Sequence, residues 1–206
     1  PAFVNADYPV LTDMASERAG MEVINYGIGY SGSIVLPSDA THPFVRMAIP
    51  QEEGSETLLA LESHLAGAYN ATNIAAAIAV GMHFGVSLEE AIEAVESYVP
   101  TNNRSQMERS SRNILIKDLY NANPTSMEAA LSNLAMTEAE SKAALLGEMR
   151  ELGEDSLQEH ISILRMVRSM GLDLVCLVGE EFRKAVEAEP DGGEVKCFGT
   201  SDETAA

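Results

Sequence analysis

Leu174-Val175-Cys176-Leu177-Val178 is a short, wholly apolar run closed by Gly179. Glu181 to Ala188 then reads as a helix and Val195 to Phe198 as another strand. Strands alternating with helices in this way signal a parallel sheet. The same alternation extends upstream. Ala143 to Leu146 is strand-like. Ser156-Leu157-Gln158-Glu159 has the form of a capping box, opening a helix that turns Ile161, Leu164 and Val167 inward and ends at Gly171. Further back, a strand from Asn113 to Lys117 leads through a loop to a helix with Asn123 as N-cap and Pro124 at its first position. Met127, Leu131 and Leu134 form the inner stripe of that helix. Four strands separated by three helices predict an α/β fold with a mainly parallel sheet and right-handed crossovers. Ligands of such sheets sit beyond the carboxyl ends of the strands. Those ends are Asp118 to Asn123, Gly147-Glu148, Gly179-Glu180 and Gly199-Thr200.

The first half is patterned differently. Phe3-Val4-Asn5 reads as a strand end, and Val10, Leu11, Met14 and Ala15 have helical spacing. Glu22 to Tyr26 is strand-like. Ser33 to Leu36, Phe44 to Ile49 and Glu56 to Leu61 are expected to form antiparallel pieces, separated as they are by Pro, Ser and Gly. Asn73 to Phe84 is a helix with almost no polar face, which predicts burial. Ser87-Leu88-Glu89-Glu90 is a capping box whose helix aligns Leu88, Ile92, Val95 and Val99. Pro100 is a helix stop, and the expected domains are 1–100 and 101–206.

The 206 residues suit one large domain or two small ones, and 46% apolar content is globular. Asp and Glu number 32 against 13 Lys and Arg, a formal charge of −19. That excess argues against nucleic acid, which needs a basic face, and against an anionic membrane surface. No apolar run approaches the roughly 18 residues of a membrane span, and the N-terminus has no basic signal-peptide region. Trp is absent, so stacking platforms for single strands are not expected either. Cys176 and Cys197 lie in apolar stretches and read as reduced core cysteines of a cytoplasmic protein. The strand-like start without Met leads to the expectation of a fragment.

Gly27-Ile28-Gly29-Tyr30-Ser31-Gly32 matches G-x-G-x-x-G. The dinucleotide mechanism needs a helix directly afterwards, and here Ile34-Val35-Leu36-Pro37 follows, so a glycine-rich turn is expected instead. No phosphate loop of the form G-x-x-x-x-G-K-[ST] occurs, so an ATP phosphate cradle is not in this chain. His42, His64, His83 and His160 show no metal-ligand spacing and are expected at the surface or in caps. No metal ligands are assigned.

Three clusters remain. In Gly67-Ala68-Tyr69-Asn70-Ala71-Thr72-Asn73, the carboxamides of Asn70 and Asn73 share a helical face and suit either an adenine edge or simple N-capping. Thr101-Asn102-Asn103-Arg104-Ser105-Gln106 offers an anion clamp or a solvated linker. It opens the most basic window, in which Arg104, Arg109, Arg112 and Lys117 stand against Glu108 alone. Lys117-Asp118-Leu119-Tyr120-Asn121-Ala122-Asn123-Pro124 is a capped turn in which Asp118, Tyr120 and Asn121 have no capping role to explain them.

In their order these clusters resemble the Mur ligases, and Tyr120-Asn121-Ala122-Asn123-Pro124 resembles the D-alanyl-D-alanine-adding branch. Leu146-Gly147-Glu148-Met149-Arg150-Glu151-Leu152-Gly153 and Glu159-His160 belong to the same resemblance, as does Phe3-Val4-Asn5-Ala6-Asp7. It implies the later part of a P-loop-type central domain (1–100) followed by most of a Rossmann-like C-terminal domain (101–206). The UDP-sugar domain, P-loop and magnesium ligands of the family would then lie upstream. The implied reaction uses ATP and Mg2+ to activate UDP-MurNAc-tripeptide as an acyl phosphate, which the amine of D-Ala-D-Ala attacks. A fragment without the P-loop is expected to be inactive alone, and the protein to be monomeric. By resemblance, Asn70 and Asn73 meet adenine, Arg104 reaches the phosphates, and Asp118 holds ribose or the interdomain contact. Tyr120, Asn121 and Asn123 line the dipeptide side. Tyr69 stands where many of the family carry His, and Glu148 where Asp is usual. Two alternatives compete: another ligase of the superfamily, such as a folylpolyglutamate synthase, and a non-catalytic nucleotide-binding module.

Overall fold

Every second residue from Phe44 to Pro50 is buried, namely Val45, Met47 and Ile49. That period of two organises the first of two compact units, Pro1–Lys117 and Asp118–Ala206. The computed structural model describes residues 1–38, 42–52, 54–101, 104 and 106–205. In the first unit Ala2–Asn5 (β1) pairs in parallel with Val23–Tyr26 (β2), and Pro9–Ser16 (α1) lies between them in sequence. A single turn, Ile28–Ser31 (α2), precedes Ile34–Leu36 (β3). Strand β3, Phe44–Pro50 (β4) and Leu58–Ala66 (β5) form the expected antiparallel sheet in the order β3-β4-β5.

Asn70–His83 (α3) and Leu88–Ser97 (α4) cover that sheet. Ala71, Ile74 and Ile78 of α3 and Leu88, Ala91 and Ile92 of α4 join Val45, Met47, Ile49 and Leu61 in one core. Each large aliphatic side chain there contributes about 1.5–3 kcal/mol by leaving water. Helix α3 buries one face only, and Val80 and Met82 on it are exposed. Its long alanine run reflects helix propensity rather than complete burial. The Ser87 capping box forms as expected, with Glu90 N–H donating to Ser87 Oγ at 3.2 Å and Ser87 N–H donating to Glu90 at 3.0 Å. Val99 lies beyond the end of α4 and is exposed.

Gln106–Arg109 (β6) and Ile114–Lys117 (β7) form an antiparallel hairpin with Gln106 opposite Lys117. The strand expected as the first of a parallel series therefore pairs with its immediate predecessor. The turn explains why: Ser110 Oγ accepts from Arg112 and Asn113 N–H at 3.2 and 2.9 Å. A short loop closes cheaply, so local pairing wins. Strand β6 also packs on β5, and the first compact unit runs through this hairpin to Lys117.

The second unit begins with Pro124–Met136 (α5), capped by Asn123, whose Oδ1 accepts from Ser126 N–H at 2.9 Å. Ala143–Gly147 (β8), Ser156–Ser169 (α6), Leu174–Val178 (β9), Glu180–Ala188 (α7) and Lys196–Phe198 (β10) follow. The three strands are parallel in the order β10-β9-β8. Leu131, Ile163, Leu164, Val167, Leu177 and Phe182 form the centre of the core. The α/β class and the parallel sheet are as expected, with three strands in place of four. Cys176 is half-buried but Cys197 is exposed, so the expectation of two core cysteines fails at the short strand β10. Among the described residues no helix is long and apolar enough to cross a membrane.

Candidate functional site

The amino end of α3 holds the first cluster. Asn70 is buried, and its Nδ2 donates to the Ala66 carbonyl at 2.8 Å. Its Oδ1 accepts from Asn73 Nδ2 at 3.0 Å. The two carboxamides are thus together, as their spacing predicts, but they are not equivalent. Asn70 is bound into the fold, whereas Asn73 is exposed and turns an acceptor and a second N–H outward. Gly67, with φ of +92°, passes under the Tyr69 ring so closely that any side chain there would collide with it. Between α3 and α4 lies a cavity of about 380 Å3, lined by Asn73 with Leu65, Ile74, Ala77, Val95 and Tyr98. An apolar slot with one carboxamide at its wall suits a flat heterocycle. A larger cavity of about 460 Å3, lined in part by Tyr26, Met47, Ile49 and Met82, also takes in Gly27, Tyr30 and Ser31 of the glycine-rich stretch and His83, but none of the three clusters.

The glycine-rich stretch is occupied by the protein's own carboxylate. Asp7 accepts from the N–H groups of Ile28, Gly29 and Tyr30 at 2.6, 3.2 and 2.8 Å. A single helical turn, α2, lies within the motif and strand β3 follows it, as expected, and Asp7 fills the amino end of that turn. Three convergent backbone donors form an anion nest, and a carboxylate is a natural occupant.

Arg104 is exposed just before β6, and its neighbours Asn102, Asn103 and Ser105 lie outside the described residues. Arg104 belongs to the first unit with Asn70 and Asn73. Asp118, Tyr120, Asn121 and Asn123 belong to the second. Asp118 is half-buried directly after β7, and Tyr120 and Asn121 are exposed. Asn123 is engaged as the N-cap. Because β7 is in a hairpin, this loop leaves an antiparallel strand, not a strand of the parallel sheet.

The carboxyl ends of β8 and β9 carry a closed set of hydrogen bonds. His160 is fully buried, against the expectation of a surface or capping histidine. Its Nε2 lies 3.0 Å from Met149 N and its Nδ1 lies 2.7 Å from the Ser156 carbonyl oxygen. Phe182 meets the ring edge to face at 4.7 Å. Ser156 does not cap α6. A 3-10 turn, Gly153–Asp155, runs straight into the helix, and the Ser156 hydroxyl instead donates to Glu181 at 2.9 Å. Lys184 and then Ser156 hold the Glu181 carboxyl below its ordinary range. Glu181 N–H donates to the Glu148 carboxylate at 3.3 Å. Among the described residues no group of three His, Cys, Asp or Glu side chains is placed to hold a metal ion.

A family profile described as "Mur ligase, glutamate ligase domain" matches residues 103–206. The chain belongs to the Mur ligase family. It is 32% identical over 188 residues to a UDP-N-acetylmuramoyl-tripeptide–D-alanyl-D-alanine ligase of Mycobacterium bovis, covering 85% of this chain and 36% of that protein. Against the ligase of the same name from Haemophilus influenzae it is 30% identical over 190 residues, covering 91% and 40%. The chain therefore spans well under half the length of these relatives. A crystal structure of MurF from Acinetobacter baumannii superposes with a TM-score of 0.79 at 25% identity, over 98% of this chain and 44% of that one. MurF from Thermotoga maritima in complex with ADP has the same fold, with a TM-score of 0.76 at 20% identity, covering 98% and 44%.

Within this Mur ligase chain, sequence reasoning missed Asp7 as the partner of the Ile28, Gly29 and Tyr30 amides, and Glu148, Ser156, His160 and Glu181 as members of one hydrogen-bonded set. The resemblance did mark Glu148 and His160. The Met149–His160 contact joins the loop after β8 to α6 across eleven positions, and periodicity alone carries no sign of it.

Proposed function

We propose that this chain is part of an ATP-dependent amide ligase that joins D-Ala-D-Ala to UDP-MurNAc-tripeptide through an acyl phosphate in peptidoglycan precursor synthesis. The observation that carries the reading is the identity to relatives of that name, extending across both units. The α3–α4 slot supports it, because Asn73 offers a donor and an acceptor at an apolar wall, as an adenine edge requires. In this reading Asn73 contacts the base and Asn70 orients Asn73. Arg104 stabilises negative charge on the phosphates, and Asp118 holds ribose or an interdomain contact. Tyr120 and Asn121 face the dipeptide, and Asn123 shapes their loop as its cap. Residues 1–100 would be the later part of the central ATP-binding domain and 101–206 the ligase domain. Mg2+, when bound, supplies charge neutralisation at the phosphates. The residues that would hold it are not among those assigned above. The protein acts in the cytoplasm as a monomer.

The test is ADP release by the polypeptide of the complete reading frame, supplied with ATP, Mg2+, UDP-MurNAc-tripeptide and D-Ala-D-Ala. Turnover that requires both peptide substrates supports the assignment. Turnover with glutamate or another amino acid in place of D-Ala-D-Ala moves it to a different ligase, and nucleotide binding without turnover leaves a binding module. The 206-residue chain by itself has no phosphate loop and is expected to release no ADP.

A further inference from the structure

The loop after β8 is held at more points than chain connectivity requires. Glu148 N–H donates to the Val178 carbonyl at 2.9 Å, and the Glu148 carboxylate reaches Glu181 N–H. Met149 is buried, and its N–H points at His160 Nε2. Glu151 follows with φ of +64°, the one positive-φ residue other than glycine among the described residues. A non-glycine residue in the left-handed region persists only where its surroundings fix it, and such residues concentrate at functional sites. This loop also lies beyond the carboxyl end of a parallel strand, where ligands of open α/β sheets bind.

We infer that His160 is a positioning residue for this loop, acting through the Met149 amide in its neutral, Nδ1-protonated form. The proton assignment follows from the partners. A backbone N–H can only donate, so Nε2 must accept. The Ser156 carbonyl can only accept, so Nδ1 must carry hydrogen. With Phe182 set edge to face against it, the ring has one orientation and one tautomer that satisfy both nitrogen contacts. A protonated ring would set two donors against each other at Met149, and the loop would lose its anchor. The role in turnover rests on the ligase reading, whereas the role in the loop does not.

The test has two arms. In the 206-residue chain, nitrogen NMR of the histidine rings is expected to show His160 with hydrogen on Nδ1 and none on Nε2. Hydrogen on Nε2 overturns the proposal. His160→Gln keeps an acceptor near the Nε2 position and is expected to retain slow exchange of the Met149 amide. His160→Ala is expected to speed that exchange by roughly tenfold or more, with the Leu177 amide unchanged. Equal Met149 exchange in the Gln and Ala variants overturns the proposal, and if the Ala variant does not fold, Gln against wild type decides. In the ligase-active polypeptide, His160→Ala is expected to lower kcat about tenfold with KM for ATP unchanged, and Gln to restore it. Failure of wild-type turnover would remove the ligase reading but leave the NMR arm standing.

Discussion

The Glu148 carboxylate occupies the space that a side chain on Gly179 would need. A Cβ built there collides with Glu148 Oε2, and Gly179 has φ of +116°. The strand end of β8 and the start of α7 are therefore fitted to each other through a glycine and a carboxylate. Gly179→Ala is expected to lose about 2–4 kcal/mol from strain and collision combined. Adding Glu148→Ala should recover part of that loss, since the collision goes and the backbone strain stays. Urea denaturation of the two single variants and the double variant measures the difference, and strict additivity would refute the contact.

Asp173 joins the opposite ends of β8 and β9, with its carboxylate accepting from Lys142 N–H at 2.8 Å. That backbone donor first, and the Ser141 hydroxyl second, hold its carboxyl below the ordinary value. A lowered folded pKa stabilises the fold above the unfolded value, and the gain disappears as pH falls through the folded one. Asp173→Asn should therefore be less stable than wild type near neutrality, and the two should converge below about pH 4. A constant difference across pH 3 to 7 in denaturant titrations would contradict this.

Asn70 and Asn73 should separate by measurement. Asn70→Ala removes a buried carboxamide with partners at Ala66 and Asn73, and should cost about 1–3 kcal/mol of stability. Asn73→Ala is exposed and should leave the melting temperature nearly unchanged while raising KM for ATP in the active ligase. Equal loss of stability in both would show that neither is free to meet a ligand.

Asn123→Ala removes a reciprocal cap and should cost about 1 kcal/mol, with Asn123→Ser retaining most of it. If Asn123 acts as a cap alone, KM for D-Ala-D-Ala changes less than it does in Asn121→Ala. A larger effect at Asn123 would give it a direct contact.

In a ligase-active polypeptide, Arg104→Ala should lower kcat/KM by the equivalent of about 2–4 kcal/mol, as for other charge-stabilising donors. Unchanged kcat/KM removes Arg104 from the site.

Local chemistry was legible where it is short in range. The Ser87 and Asn123 caps, the apolar strand at Leu174–Val178 and the closing Gly171 each depend on neighbours within a few residues. The β6–β7 hairpin was missed because Asn113 to Lys117 is apolar enough for either a parallel or an antiparallel strand, and the deciding Ser110 turn lies outside that window. Ser156 looked like a cap because S-x-x-E has that form. Its hydroxyl goes instead to Glu181, twenty-five positions away. Asp7 and the Ile28 amide are similarly remote in sequence. Contacts of this kind follow from how strands and helices are stacked, which residue spacing does not encode.

The Asp7 carboxylate makes the glycine-rich turn a site with a resident, covalently tethered competitor. A group attached to the same chain acts at an effective concentration of about millimolar even through a short flexible linker. Any free phosphate must outcompete it and also meet its charge. The turn that most resembles a nucleotide motif has for that reason its backbone donors already committed to the protein's own carboxylate.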